Sequence, residues 1–251
     1  MMYDNSKRLS ALVFSTLLSV CAAQDGGGRG LISLEGPTGL FINPTSGILP
    51  ANGNTLQYGA FFLDNEADKV SHGLIVAHGM GGNVEIGAQA SYVAFEDEDK
   101  DDLFAAGPFV RCRLMVDSDN SFELSVGGYS RFGDEAIQKT GAFLAASKRL
   151  DLGNDVVRTL GLHAGIRNTW LEQGPVDTSL AVYGGLEVEL PLRLFVVGEL
   201  GSEDEGLNTE QPYAYGLQWR AGGLNMSAAG IQDGNNEELS FYCGIGFGTA
   251  L

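Results

Sequence analysis

The chain has 251 residues, with 36 glycines, 7 prolines and a formal net charge of −17. That acidity excludes a nucleic-acid partner, which needs a basic face, and a 44% hydrophobic content excludes a disordered chain. Past residue 23 there is no run of about 18 apolar residues, so no helix is expected to cross a membrane, although strands still could. The first element is an export signal: Lys7 and Arg8 precede the apolar run Leu9–Val20, which exits through Cys21-Ala22-Ala23. Cleavage is expected after Ala23, and Leu18-Ser19-Val20-Cys21 leaves lipid attachment at Cys21 as an alternative. Cys112 and Cys243 then remain; two lone cysteines make no disulfide framework and read as small apolar residues.

Residues 24–53 form a turn-rich segment, expected at the periplasmic mouth or folded into a lumen as a plug. Leu34–Pro50 carries three prolines, which fix φ, and three glycines, which relax it, so an ordinary strand is not expected there. The pattern G-x-x-G-L-x-x-x-P-T from Gly36 to Thr45, followed by Asn52-Gly53 and a strand, resembles the start of the YjbH-like outer-membrane barrels. That resemblance spans Gly36 to Gly53. It implies an outer-membrane barrel and a role in exopolysaccharide export or envelope assembly.

From residue 54 onward, apolar and polar residues alternate with a period of two, which on a strand separates two faces. Twelve segments show it: 54–62, 70–79, 83–94, 104–116, 121–131, 140–150, 157–170, 178–190, 192–200, 212–221, 224–232 and 238–251. Most exceed the five or six residues typical of soluble strands and suit a tilted strand crossing a bilayer, which needs about 9–11. Connections after odd-numbered strands are long, such as Phe95–Leu103 and Gly201–Gln211. Most after even-numbered strands are tight, such as Met80-Gly81-Gly82, Pro191 alone and Gly222-Gly223. Outer-membrane barrels show this asymmetry. Charge follows it, because twenty acidic residues lie in or beside the long connections against only Lys69, Lys100 and Lys139.

The fold class expected is therefore all-β, a closed antiparallel up-and-down transmembrane β-barrel of about twelve strands over residues 54–251. A soluble periplasmic β-sandwich with its apolar faces turned inward is the alternative architecture. The glycines crowding the polar faces favour the barrel: Gly59, Gly87, Gly127, Gly161, Gly165, Gly185, Gly216, Gly244, Gly246 and Gly248 would make room inside for long charged neighbours. Those expected to line the lumen are Glu85, Arg111, Arg113, His163, Arg167, Glu187, Glu189, Arg193, Glu199 and Arg220. Tyr58, Tyr92, Trp170, Tyr213 and Trp219 fall on the apolar face, as interfacial girdles require. The last strand resembles the barrel-insertion signal through Gly244, Gly246, Phe247 and Leu251, with Leu251 in place of the usual terminal aromatic. The partners expected are outer-membrane lipid, the barrel-insertion machinery, and polysaccharide or envelope-assembly proteins.

Catalytic motifs are sparse. His72 and His78 sit six residues apart, about 20 Å along a strand, too far to share a metal. His78-Gly79-Met80-Gly81-Gly82 reads as a strand end and glycine turn, since no G-x-S-x-G elbow accompanies it. The acidic run Glu96–Asp102 lacks the glycine and spacing of an EF-hand and reads as a solvated loop. No catalytic residue, metal or cofactor is expected, and the function expected is a narrow pore or envelope scaffold in the outer membrane. A barrel hydrolase is the alternative activity, and it requires a serine within hydrogen-bond reach of His163 or His78.

Overall fold

The computed structural model describes residues 33, 39–63, 69–95, 100–118, 120–170, 178–203, 210–232, 234 and 239–250. The export signal, Cys21, the Gly36–Thr38 part of the turn-rich motif, most of the long connections and Leu251 lie outside them. Twelve strands follow in order: β1 (Gly53–Leu63), β2 (Lys69–Met80), β3 (Val84–Phe95), β4 (Leu103–Asp117), β5 (Phe122–Gly133) and β6 (Lys139–Asp151). The second half comprises β7 (Thr159–Trp170), β8 (Thr178–Leu190), β9 (Leu194–Gly201), β10 (Tyr213–Ala221), β11 (Leu224–Gln232) and β12 (Ser240–Ala250). Each pairs antiparallel with its sequence neighbours, and β1 pairs with β12 from Gly53↔Ala250 to Phe62↔Phe241, so the sheet closes as a barrel. A two-sheet sandwich is thereby ruled out. In β4 a bulge between Arg113 and Met115 interrupts the alternation, leaving Leu114, Met115 and Val116 all exposed.

The apolar sides of the strands face outward. Phe241 is 54% exposed, Leu186 45% and Val110 46%, so none of them contributes to a shared interior. Tyr58, Tyr92, Trp170, Tyr213 and Trp219 share this outer face, and Tyr58, His72 and Tyr92 stack along it with ring centroids 6.0 and 6.1 Å apart. The buried side carries Gln57, Glu85, Gln89, Arg111, Ser125, Gln218, Arg220 and Asn225. Mixed with these polar groups are rings that explain the inner glycines. A Cβ on Gly127 would sit 2.5 Å from the Phe143 ring, one on Gly141 2.5 Å from Tyr129, and one on Gly59 2.6 Å from Tyr242. Gly87 and Gly165 likewise lie beneath Phe109 and Tyr183. The room expected for long charged side chains is thus largely taken by aromatic rings lying flat over bare backbone.

Even-numbered strands all end at one side of the barrel, as an up-and-down topology demands. Residues 81–83, 118–121, 191–193 and 222–223 join strands tightly there and the seven residues 152–158 more loosely, while the odd-numbered strands end at the other side. Gly222 and Gly223 take positive φ, as a two-residue hairpin requires, and Gly81 and Gly82 do so within the three-residue turn before β3. The turn before β9 is a correction to the sequence reading. Leu190 pairs with Leu194, so three residues form the turn, and Leu192 and Arg193 hold left-handed φ of 62° and 59°. Arg193 is therefore an exposed turn residue rather than part of a lumen-lining strand.

Candidate functional site: the barrel lumen

Residues 39–50 lie inside the barrel. Their inner end is a small turn, closed by a bridge between Gly39 and Pro44 and by Leu40 N–H donating to Asn43 O at 3.0 Å. Leu40 and Phe41 pack against Phe195, Val197, Ala214, Ala229, Ile231 and Tyr242 on β9–β12. Leu49, at the other end, packs against Ile75, Ala77, Phe109, Tyr129, Phe143 and Ala145 on β2–β6. The segment thus spans from one wall of the lumen to the opposite one.

Two buried carboxylates, one on each wall, hold it. Glu199 on β9 accepts from the backbone N–H groups of Phe41 at 2.8 Å, Ile42 at 2.6 Å and Asn43 at 3.1 Å, and from the Asn43 amide at 3.1 Å. Four donors around one carboxylate offset the cost of burying its charge. Glu85 on β3 accepts from Leu49 N–H at 3.0 Å and pairs with Arg111 on β4 at 2.9 Å, both side chains being 0% exposed. Arg111 donates onward to the Thr45 carbonyl at 2.6 Å, and the Tyr183 hydroxyl donates to that of Pro44 at 3.0 Å.

The remaining expected lumen residues, apart from Arg193, occupy the inner face in three groups. Glu187 on β8 takes Arg220 on β10 as a close partner and Arg149 on β6 at 3.9 Å, while Arg220 also lies 4.0 Å over the Phe195 ring. Nearer the tight end, Arg113 donates to Gly82 O at 3.0 Å and sits 3.8 Å from Glu123, and Glu189 accepts from the Thr159 hydroxyl at 3.0 Å. Arg167 and His163 are half-buried on β7. The sequence reading missed Arg149, Gln218, Tyr183 and Ser147. Gln218 had a readable signal, because it lies two residues from Arg220 on the same strand face and accepts from it.

A cavity of about 340 Å³ lies between the segment and the walls of β4–β8 and β10 near the tight end. It is lined by Gly39, Thr45 and Gly47 on one side and by Ser147, His163, Glu187 and Arg220 on the other. Ser147 and His163 stand directly opposite each other across β6 and β7, with Ser147 Oγ 2.8 Å from His163 Nδ1. The Ser147 hydroxyl also accepts from Ser46 N–H at 3.2 Å. His163 Nε2 has no partner among the described residues. Along the chain the pair has no motif spacing; only strand register brings it together.

At the opposite end, Asp101, Asp102, Asp134, Glu135, Glu203 and Glu210 flank the described strand ends. Asp102 accepts a short hydrogen bond from the Tyr92 hydroxyl and one of 3.1 Å from Phe95 N–H, and the two hold its carboxyl below the usual carboxylate range.

No known protein family and no curated protein matches the chain. Among solved structures it is similar to the KdgM porin in complex with disordered oligogalacturonate, with a TM-score of 0.52 at 10% identity, covering 77% of this chain and 98% of that one. A second structure of the KdgM porin matches with a TM-score of 0.50 at 10% identity, over the same shares of the two chains. The translocator domain of the autotransporter NalP from Neisseria meningitidis aligns over 99% of this chain and 98% of its own, at 13% identity and a TM-score of 0.41. At these identities the likeness to the KdgM porin is one of fold, a closed antiparallel barrel.

Proposed function

We propose that this protein is an outer-membrane pore of narrow bore for polar solutes, serving exopolysaccharide export. One observation carries the reading: a closed barrel wears its apolar residues outside and its ion pairs inside. Water around such a molecule would meet a continuous greasy band, whereas hydrocarbon would match it and leave every backbone group paired within the sheet. The outward tyrosines and tryptophans would sit at the lipid headgroups. Export through a secretory leader and delivery by the barrel-insertion machinery fit the same location. The saccharide part rests on the turn-rich motif resembling YjbH-like barrels and on the KdgM porin having been solved with an oligogalacturonate. The pore reading needs no cofactor and no catalytic step. Single-channel recording of the purified protein in planar bilayers tests it, and silence that persists when residues 40–43 are replaced by Gly-Ser-Gly-Ser would remove the pore. Release from membranes into sodium carbonate would remove the location.

A second reading, a barrel hydrolase, is favoured by the Ser147–His163 pair lining the cavity beside Glu187. His163 would take the proton from Ser147 as Oγ attacks an ester carbonyl and hand it to the alkoxide as the C–O bond breaks, releasing the alcohol and leaving an acyl-serine that water then cleaves to the acid. A fluorophosphonate that labels the protein but not its Ser147→Ala variant would transfer the assignment to an enzyme. Saturating reagent without labelling would end that reading.

A further inference from the structure

Residues 39–49 are held in the lumen by wall side chains and apolar packing, with no strand pairing to the barrel among the described residues. The hydrogen bonds that Phe41, Ile42, Asn43, Pro44, Ser46 and Leu49, and the Thr45 carbonyl, make with the barrel wall run through wall side chains: Glu199, Tyr183, Arg111, Ser147 and Glu85. The segment's own ladder contact is internal, between Gly39 and Pro44, so it can move without breaking any strand pairing. Its two ends are not equivalent. The Pro50 end continues into β1, where Asn52 N–H donates to Gly79 O at 2.8 Å and Gly53 N–H to Pro50 O at 2.9 Å. The Leu40–Asn43 turn is held instead by one carboxylate and by apolar packing. Its seat is shaped for it, since a Cβ on Gly185 would overlap Leu40 Cδ1. The cavity of about 340 Å³ flanks the segment at Gly39, Thr45 and Gly47, so the turn has free volume beside it to swing into.

We propose that residues 39–50 are a displaceable gate, pivoting near Pro50, and that Glu199 is the latch holding its Leu40–Asn43 turn across the lumen. The inference rests on the pore reading and adds the regulation of that pore. With the turn seated, the apolar cluster of β9–β12 is covered and the conduit between the walls is interrupted. With the turn released, Glu199 becomes a hydrated charge on the wall and the conduit widens. Population of the released state is set by how well a single side chain accepts four donors, and that is a quantity one substitution can change.

The experiment is single-channel recording on the full chain in planar bilayers, with heat-modifiable gel mobility reporting that each variant has folded. Three variants accompany the wild type: Glu199→Gln, Phe41→Ala, and one with Leu40, Phe41, Ile42 and Asn43 replaced by Gly-Ser-Gly-Ser. The replaced-turn variant is expected to conduct steadily at a level several-fold above the wild-type resting level. Glu199→Gln should flicker between the two levels with an open fraction at least tenfold above wild type, and Phe41→Ala should fall between. If the replaced-turn variant conducts while Glu199→Gln and Phe41→Ala match the wild type, the gate is overturned and the pore stands. If the replaced-turn variant is folded and silent, the pore reading fails and the gate falls with it.

Discussion

At the scale of single residues, the lumen is organised around charges that water cannot reach. Glu85 and Arg111 are wholly buried, and each has a second partner on the interior segment, Leu49 N–H for the acid and the Thr45 carbonyl for the base. Removing one member strands the other. Arg111→Met is expected to cost about 3 kcal/mol in urea unfolding, and Glu85→Gln combined with Arg111→Met distinctly less, because no uncompensated charge is left behind. A double variant as unstable as the single one would show that packing, not charge, dominates there. At the mouth, Asp102 behaves differently because it is solvated. Its carboxyl is depressed in the folded protein, so the contribution of its bonds to Tyr92 and Phe95 is present above the ordinary carboxylate range and lost as pH falls through the lowered value. Amide exchange at Phe95 should therefore stay protected through the range where free aspartates protonate and accelerate only below it. Acceleration already at ordinary carboxylate acidity would contradict this.

At the scale of elements, the strands were legible because a two-sided sheet forces a period of two, and the twelve expected segments lie within a few residues of the twelve observed. What could not be read was where backbone geometry overrides the pattern. The β4 bulge turns Met115 outward beside Leu114 and Val116, and apolar residues in a row do not reveal a bulge. The length of the turn before β9 hides in the same way, since Pro191 marks it but Leu192 and Arg193 are poor residues for left-handed φ and gave no turn signal. That strain is testable: Arg193→Gly should raise stability by about 1 kcal/mol in urea unfolding, since glycine reaches φ of 59° without a Cβ penalty. No gain would mean that the surrounding turn already compensates. Arg193 lies in a turn rather than on a strand face, and Arg149, Gln218, Tyr183 and Ser147 on the inner side were not singled out. The pairings among the lumen residues were not legible either, because Ser147–His163 and Glu187–Arg220 depend on register and on barrel curvature rather than on spacing along the chain.

At the scale of the whole molecule, the two ends of the barrel differ in charge. The sequence places its acids in and beside the connections of one end, while Arg113, Arg149, Arg158 and Arg193 lie towards the other. A conducting barrel with that asymmetry should favour cations, read as the reversal potential across a potassium chloride gradient. The preference should shrink towards 1 M salt, where the screening length falls to about 3 Å. An anion preference at low salt would mean that the inner arginines, not the rim, control passage.

The pairing of β1 with β12 has a consequence for how the molecule comes together. Those two ribbons are far apart in sequence, so the join between them is the contact with the greatest loop to close and the slowest to be made. Residues 39–50 directly precede β1 and finish up enclosed, so that join is also the stitch that shuts them in. A growing cylinder that zips from β2 round to β11 would stay an open trough until β12 arrives. The enclosed stretch could settle sideways onto its carboxylates during that interval, without ever having to be threaded through either mouth.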